Sequence, residues 1–273
     1  MAVSRVSVDD AVAAVVPIVV YWAYCGVHMV LGHARVMDKY RLNPKGDEDT
    51  KNMVSKRAVL ANVLTQHAMQ LASVVLLTVL AGGSGGATTA TTSYLTAARQ
   101  IAVAVLVFDA YMYAWHWLAH RSRFIYRHLH SWHHRLVVPY AFGAIYGHPL
   151  EFLLADTAGG SLAILASGLS SSSPHATAVF LSLCNIKGID NHCGLCLMPR
   201  RLQSLWNGAA HHGVHHMPRG IRYNFSNLFF VTWDRVFGTY MPYAIEERPG
   251  GEGLMLRPMA PKPSGGGATN KTY

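Results

Sequence analysis

Nine histidines fall in clusters between residues 116 and 216, as His116-x-x-x-His120, His130-x-x-His133-His134, His192, and His212-x-x-His215-His216. Imidazole binds first-row transition metals through a neutral nitrogen, so histidines at this density point to metal chemistry. Residues three and four apart share one face of an α-helix, so each cluster is expected to present its imidazoles together. A bridged pair of metals needs more ligands than one cluster supplies, and convergence of several helices would enclose it. The expected metal ligands are His116, His120, His130, His133, His134, His192, His212, His215 and His216, with His133, His134, His215 and His216 carrying catalysis. His128 and His211 lie out of phase with their clusters, and His175 sits in a Ser/Pro turn, so these three stand outside the ligand set.

Carboxylates commonly orient metal-bound imidazoles. Asp190, two residues before His192, is the expected orienter, with Asp156 and Asp234 also near the region; Asp234 has the alternatives of pairing with Arg235 or capping local backbone. In His148-Pro149-Leu150-Glu151, Pro149 suits a helix start and turns His148 or Glu151 toward the site as a further ligand or orienter. Cys193-x-x-Cys196 is half of a zinc motif without its second pair.

The elements that must position these residues are apolar. The chain of 273 residues is 51% hydrophobic and 14% charged, against about 25% charged for soluble domains. Ala11–Leu31, Val59–Leu80 and Thr96–Leu118 each approach the roughly 20 residues that span a bilayer, and His28, His67 and Asp109 within them are expected to face the protein interior. No cleavable signal is evident, and the first run reads as a retained anchor. His33 to Arg57 reads as an interfacial or aqueous connection and Gly82 to Thr92 as a small-residue turn. Phe142 to Leu183 is apolar but broken at Pro149-Leu150-Glu151, Gly159-Gly160 and Ser170–Pro174, giving either a re-entrant hairpin or one full span. Arg121–Pro139 and Asn185–Tyr243 form the aqueous catalytic region and share one side if an even number of crossings separates them.

The resulting expectation is an all-α integral membrane protein with a histidine-rich di-metal region on one aqueous side, which the resemblance given below makes cytosolic. It divides into an N-terminal segment 1–10, a membrane domain 11–245 and a Pro- and Gly-rich flexible tail 246–273. The net charge of +9 is scattered and lacks aromatic interleaving, which favours a lipid bilayer surface and no nucleic acid. Four cysteines form no secreted disulfide framework. Aromatic residues 111, 113, 115 and 117, and 225, 229, 230 and 233, suit a membrane interface.

These clusters, together with Asn191-His192-Cys193-Gly194, resemble the fatty acid hydroxylase and sterol desaturase superfamily of membrane di-iron enzymes. Val12–Tyr24, Lys51–Lys56, Tyr146–Glu151, Tyr223–Ser226 and Trp233–Tyr243 are similar to its sphingoid-base C4-hydroxylase branch, over about residues 8–246. Cys196 stands where a bulky apolar residue is expected, and Asn191 where an acidic one is. The resemblance implies two iron ions, with zinc as a non-native occupant, and dioxygen as oxidant. It also implies electrons from NAD(P)H through a reductase and a membrane cytochrome, a sphinganine or dihydroceramide-type lipid substrate, and phytosphingosine as product. The implied place is the endoplasmic reticulum membrane, with the metal site facing the cytosol. Arg222, Tyr223, Asn224 and Ser226 are candidates for contact with the polar head. An unactivated methylene has no acidic proton or leaving group, so redox chemistry at a cofactor is required. The alternatives are fatty acid 2-hydroxylation, sterol C4-methyl oxidation, desaturation, an inactive lipid-binding protein, and metal transport; the placement of the clusters beyond the apolar cores disfavours transport.

Overall fold

The structure, a computed structural model, describes residues 7–80, 92–169 and 174–260. Helix α1, Val8–His33, opens on a capping box in which the side chains of Ser7 and Asp10 each accept the other's backbone N–H, satisfying donors that a helix start leaves bare. It thus begins inside the expected N-terminal segment. A connection containing the short helix α2, Asp47–Thr50, leads to α3, Lys56–Leu80. Helix α4, Tyr94–Arg121, ends where Ser122 both donates its N–H to Leu118 and accepts the Ile125 N–H. One residue therefore stops α4 and starts α5, Arg123–His128.

Pro149 begins α6, Pro149–Phe152, which runs through a π-turn at Leu153–Thr157 into α7, Ala158–Ser167. The expected break at Gly159-Gly160 is absent. Gly159 instead lies so close to the Tyr111 ring that a Cβ would overlap it, so this glycine packs α7 onto α4. Helix α8, Pro174–His192, returns beside α1, and the α6–α8 hairpin brings both histidine-rich connections to one side. The turns at Gly82–Thr92 and Ser170–Pro174 fall almost wholly outside the described residues. The small helices α9, Ala209–His216, and α10, Thr232–Val236, complete the histidine-bearing cap.

Four helical stretches are long and apolar enough to cross a membrane: Asp10–His33, Lys56–Leu77, Tyr94–Arg121 and Pro149–Ser167. Their outward faces expose Val19, Val30, Leu64, Leu76, Leu106 and Leu165 among others, a surface that water would penalise and lipid would not. His28, His67 and Asp109 are buried, as expected. Asp109 accepts the Phe229 and Phe230 N–H groups and the Trp233 indole N–H, tying α4 to the C-terminal loop.

The expected tail differs. Strand β1, Tyr243–Glu247, pairs antiparallel with β2, Leu254–Pro258, so a boundary at 246 cuts through a hairpin. Leu256 is buried with Ala209, Ala210 and Val214 of α9, and the Leu254 N–H donates to the Arg41 carbonyl. Pro249, Gly250, Gly251 and Gly253 form the hairpin's turn, and Pro258 is the last residue of β2. At Gly253, φ is +93° and a Cβ would press on the carbonyls of Asp38 and Arg41, a position that glycine alone fills easily. Residues 261–273 lie outside the described ones.

Candidate metal centre

The structure brings all nine clustered histidines together, in two groups. His116, His120, His130, His134 and His215 form one, and His133, His192, His212 and His216 the other; within each, the ligand atoms lie within 4.8 Å of one another. The expectation that each cluster shares one face holds for His116 and His120, which join one group, and is corrected for the two H-x-x-H-H motifs. In both H-x-x-H-H motifs the first and last histidines join one group and the middle one joins the other, and the two motifs are exchanged: His130 and His134 with His215, His212 and His216 with His133.

Local geometry explains the split. Residues 130–135 form a 3-10 helix, in which consecutive side chains project about 120° apart, so His133 and His134 face different groups. In the α-helix α9, positions 215 and 216 project about 100° apart and face different groups. The ring relations repeat: His130–His133 and His212–His215 are both stacked at 5.7 Å, and His130–His134 and His212–His216 are edge-on at 4.9 and 4.7 Å.

Four imidazoles are fixed by carbonyls, which can only accept: His116 Nδ1 donates to Phe225, His133 Nδ1 to Tyr146, His192 Nδ1 to Gly188 and His215 Nδ1 to Tyr223, at 2.7–3.0 Å. His130 Nδ1 lies 2.6 Å from Glu151 Oε1. With Nδ1 as the donor, a neutral ring turns the lone pair of Nε2 inward. The inward atoms crowd together: His133 and His192 Nε2 are 3.4 Å apart, His215 and His134 3.2 Å, His216 and His212 3.0 Å. Two rings already donating through Nδ1, such as His133 and His192, oppose lone pairs at that distance, and a cation between them removes the repulsion. Metal–imidazole bonds of about 2.0–2.1 Å place neighbouring nitrogens at about this spacing, so these residues fit metal ions. Burial pushes the His130, His134, His212, His215 and His216 rings well below the ordinary histidine range, and His192 down to about 3, keeping them neutral.

Among the supporting residues, Glu151 as an orienter and Asp234 as a backbone cap match expectation, and Asp190 and His148 differ from it. Asp190 does not orient His192; it accepts the Tyr24 hydroxyl and faces His28 at 3.4 Å. Glu151 is the carboxylate that meets a clustered imidazole. His148 joins neither group and accepts the Leu150 N–H at the start of α6. Asp234 caps local backbone, accepting from the N–H groups of Phe225 and Ser226, and also from Thr239 and His211. Burial alone would raise its carboxyl, but the His211 contact and these bonds hold it below the ordinary range. His211 is thus buried against Asp234, while His128 and His175 are exposed. Cys193 and Cys196 lie outside both groups as free thiols.

Tyr223, Asn224 and Ser226 are placed as support. Asn224, at φ +58°, is pinned through its side chain to both backbone groups of Met241. That turn aims the Tyr223 and Phe225 carbonyls at His215 and His116, two imidazoles of one group. Asn224 and Ser226 are fully buried and Arg222 is exposed. These backbone acceptors carry no side-chain signal in the sequence.

A cavity of about 80 Å³ touches His116 and His130 of one group and His133 and His192 of the other. It is also lined by Gln66, Tyr146, Glu151, Phe152 and Asp156. Phe152 and Asp156 also line a second cavity of about 170 Å³, whose walls include Val74 and Leu77 of α3, Ile164 of α7 and Leu181 of α8. Imidazoles of both groups therefore border one cavity, which shares two wall residues with an apolar cavity between the helices.

The fatty acid hydroxylase family profile matches residues 101–239, which contain all nine of the clustered histidines. An Arabidopsis thaliana protein named sphinganine C4-monooxygenase 2 is 47% identical over 92% of this chain and 95% of its own. A rice protein named very-long-chain aldehyde decarbonylase is 40% identical over 92% and 96%. A Saccharomyces cerevisiae protein named sphingolipid C4-hydroxylase is 30% identical over 85% and 72%. No solved structure matches.

Proposed function

Since this chain belongs to the fatty acid hydroxylase family, a family of membrane monooxygenases, we propose that it hydroxylates carbon 4 of sphinganine to give phytosphingosine. The observation that carries this reading is the near full-length similarity to the Arabidopsis relative, over a frame in which nine histidines gather in two groups and four of them, His116, His130, His133 and His192, border one cavity. The net reaction consumes dioxygen, two electrons and two protons. It converts one C–H bond to C–OH and releases the second oxygen atom as water. NAD(P)H, acting through a reductase and a membrane cytochrome, is the proposed source of electrons.

Two iron ions held by the two histidine groups would supply the activation of dioxygen that no side chain provides. Imidazole ligands suit several first-row metals, and zinc in the same place would bring no redox chemistry. The chain's own residues do the positioning. Carbonyls of Tyr146, Gly188, Tyr223 and Phe225 lock four rings with their Nε2 atoms inward, and Glu151 holds His130. Phe152, between the two cavities, narrows the path from the membrane helices to the imidazoles, so a chain threaded past it meets them at a set depth.

The proposed location is the endoplasmic reticulum membrane with the histidine cap toward the cytosol. Supporting this, described Lys and Arg residues concentrate in the connections on the cap side, among them Arg41, Lys51, Arg121, Arg127, Arg135 and Arg201, while Arg99 lies near the opposite end of α4. Cytoplasmic loops carry that excess.

Mass spectrometry of long-chain bases from eukaryotic cells lacking phytosphingosine synthesis tests the reading. Wild type is expected to restore phytosphingosine and His133→Ala to restore none. Absence of product from well-expressed, iron-loaded wild type would overturn it, and hydrocarbon release from a long-chain aldehyde would favour the activity in the rice relative's name.

A further inference from the structure

Beyond the imidazoles, the 80 Å³ cavity presents side-chain oxygens that have no protein partner. Gln66 is fully buried and spends its amide N–H on the Gly147 carbonyl, leaving Oε1 unpaired. Glu151 uses Oε1 for His130 and Trp115 and leaves Oε2 buried and unpaired. Asp156 lines this cavity and the apolar one, belongs to neither histidine group, and forms no ion pair among the described residues. It sits in the π-turn of Leu153–Thr157, a feature that often marks functional sites, where the metal-side cavity meets the apolar one. The unpaired oxygens of Gln66 and Glu151 are costly unless a ligand brings donors.

We propose that Asp156, with Gln66 and the free oxygen of Glu151, binds the ammonium and hydroxyl groups of a free long-chain base while the alkyl chain enters the cavity between α3, α7 and α8. The inference rests on the proposed reaction and adds to it the residue that distinguishes a free amine from an N-acylated one. A 2-amino-1,3-diol head offers three ammonium N–H and two O–H donors to these acceptors. Its amine sits on carbon 2, two bonds from the reacting carbon, so a head held in so small a cavity places carbon 4 beside the imidazoles that line it. An amide has no positive charge and one N–H, and its acyl group would need a second apolar path.

The test compares sphinganine with N-acetylsphinganine, using the full chain in membranes supplied with reductant, and measures bound iron for each variant. Wild type is expected to prefer the free base by about ten-fold or more in kcat/KM, the scale of a hydrogen bond to a charged group. Asp156→Asn is expected to raise KM for sphinganine about ten-fold with bound iron retained, and to raise it less for the N-acetyl substrate, which keeps the hydroxyls but has no ammonium. Asp156→Glu is expected to recover part of the preference and serves alone if the Asn variant does not accumulate. Equal use of both substrates by wild type, or an unchanged preference in the variants, overturns the head-group assignment and leaves the reaction standing. Absence of C4-hydroxylated product from either substrate with wild type overturns the reaction and this inference together.

Discussion

At the scale of single residues, adjacent histidines serve different groups. His133 and His134 are neighbours in sequence, yet His133 faces His192 and His216 while His134 faces His120, His130 and His215. Each group contains enough imidazoles to hold an ion by itself, so losing one ligand should empty or weaken one group and leave the other. His133→Ala and His134→Ala are each expected to retain about half of the bound metal, and the double variant to retain little. Metal analysis of purified protein, read with thermal unfolding to confirm folding, checks this. Loss of all metal from either single variant would show that the nine imidazoles act as one site.

At the scale of elements, the consecutive glycines of α7 do different jobs. Gly159 abuts the Tyr111 ring and the Phe108 ring of α4, whereas a Cβ at Gly160 meets nothing within 4 Å. Gly159→Ala should therefore overpack the α4–α7 contact and cost about 1–3 kcal/mol. Gly160→Ala should be neutral or stabilising by about 0.5–1 kcal/mol through lower unfolded-chain entropy. Unfolding of the two variants in the same detergent decides it, and equal destabilisation would contradict the packing. Tyr111 also donates to the Leu154 carbonyl inside the π-turn, so the α4 contact and the presentation of Asp156 are mechanically linked.

At the scale of the molecule, the path of the chain fixes which ends share a side. Helix α1 runs toward the cap, α3 away, α4 back, α6–α7 away and α8 back. The start of α1 thus lies on the face opposite the histidines, whereas the β-hairpin packs on α9 within the cap. With the cap in the cytosol, a glycosylation acceptor placed ahead of α1 should be modified and one appended after the hairpin should not. The opposite pattern would invert the proposed orientation, and modification of neither or both would break this helix order.

Much of this was legible in the sequence because burial in lipid imposes long apolar runs, and metal binding imposes histidine identity. Three membrane helices lie where the runs Ala11–Leu31, Val59–Leu80 and Thr96–Leu118 place them, and the nine clustered histidines are the nine that converge. Pro149 starts a helix, as its fixed φ suits. The sequence could not assign His133 to a different group from His134, because that follows from a 3-10 turn and the hairpin that places α8 and α9 opposite it. Nor could it show that Glu151 rather than Asp190 meets the cluster, that backbone carbonyls of Tyr146, Gly188, Tyr223 and Phe225 fix the rings, or that the Pro- and Gly-rich end forms a strand pair over α9. Each of these depends on contacts between residues far apart in the chain, where direction and distance are set by packing. Residue type decides what chemistry is available, and only the tertiary structure decides which lone pairs meet.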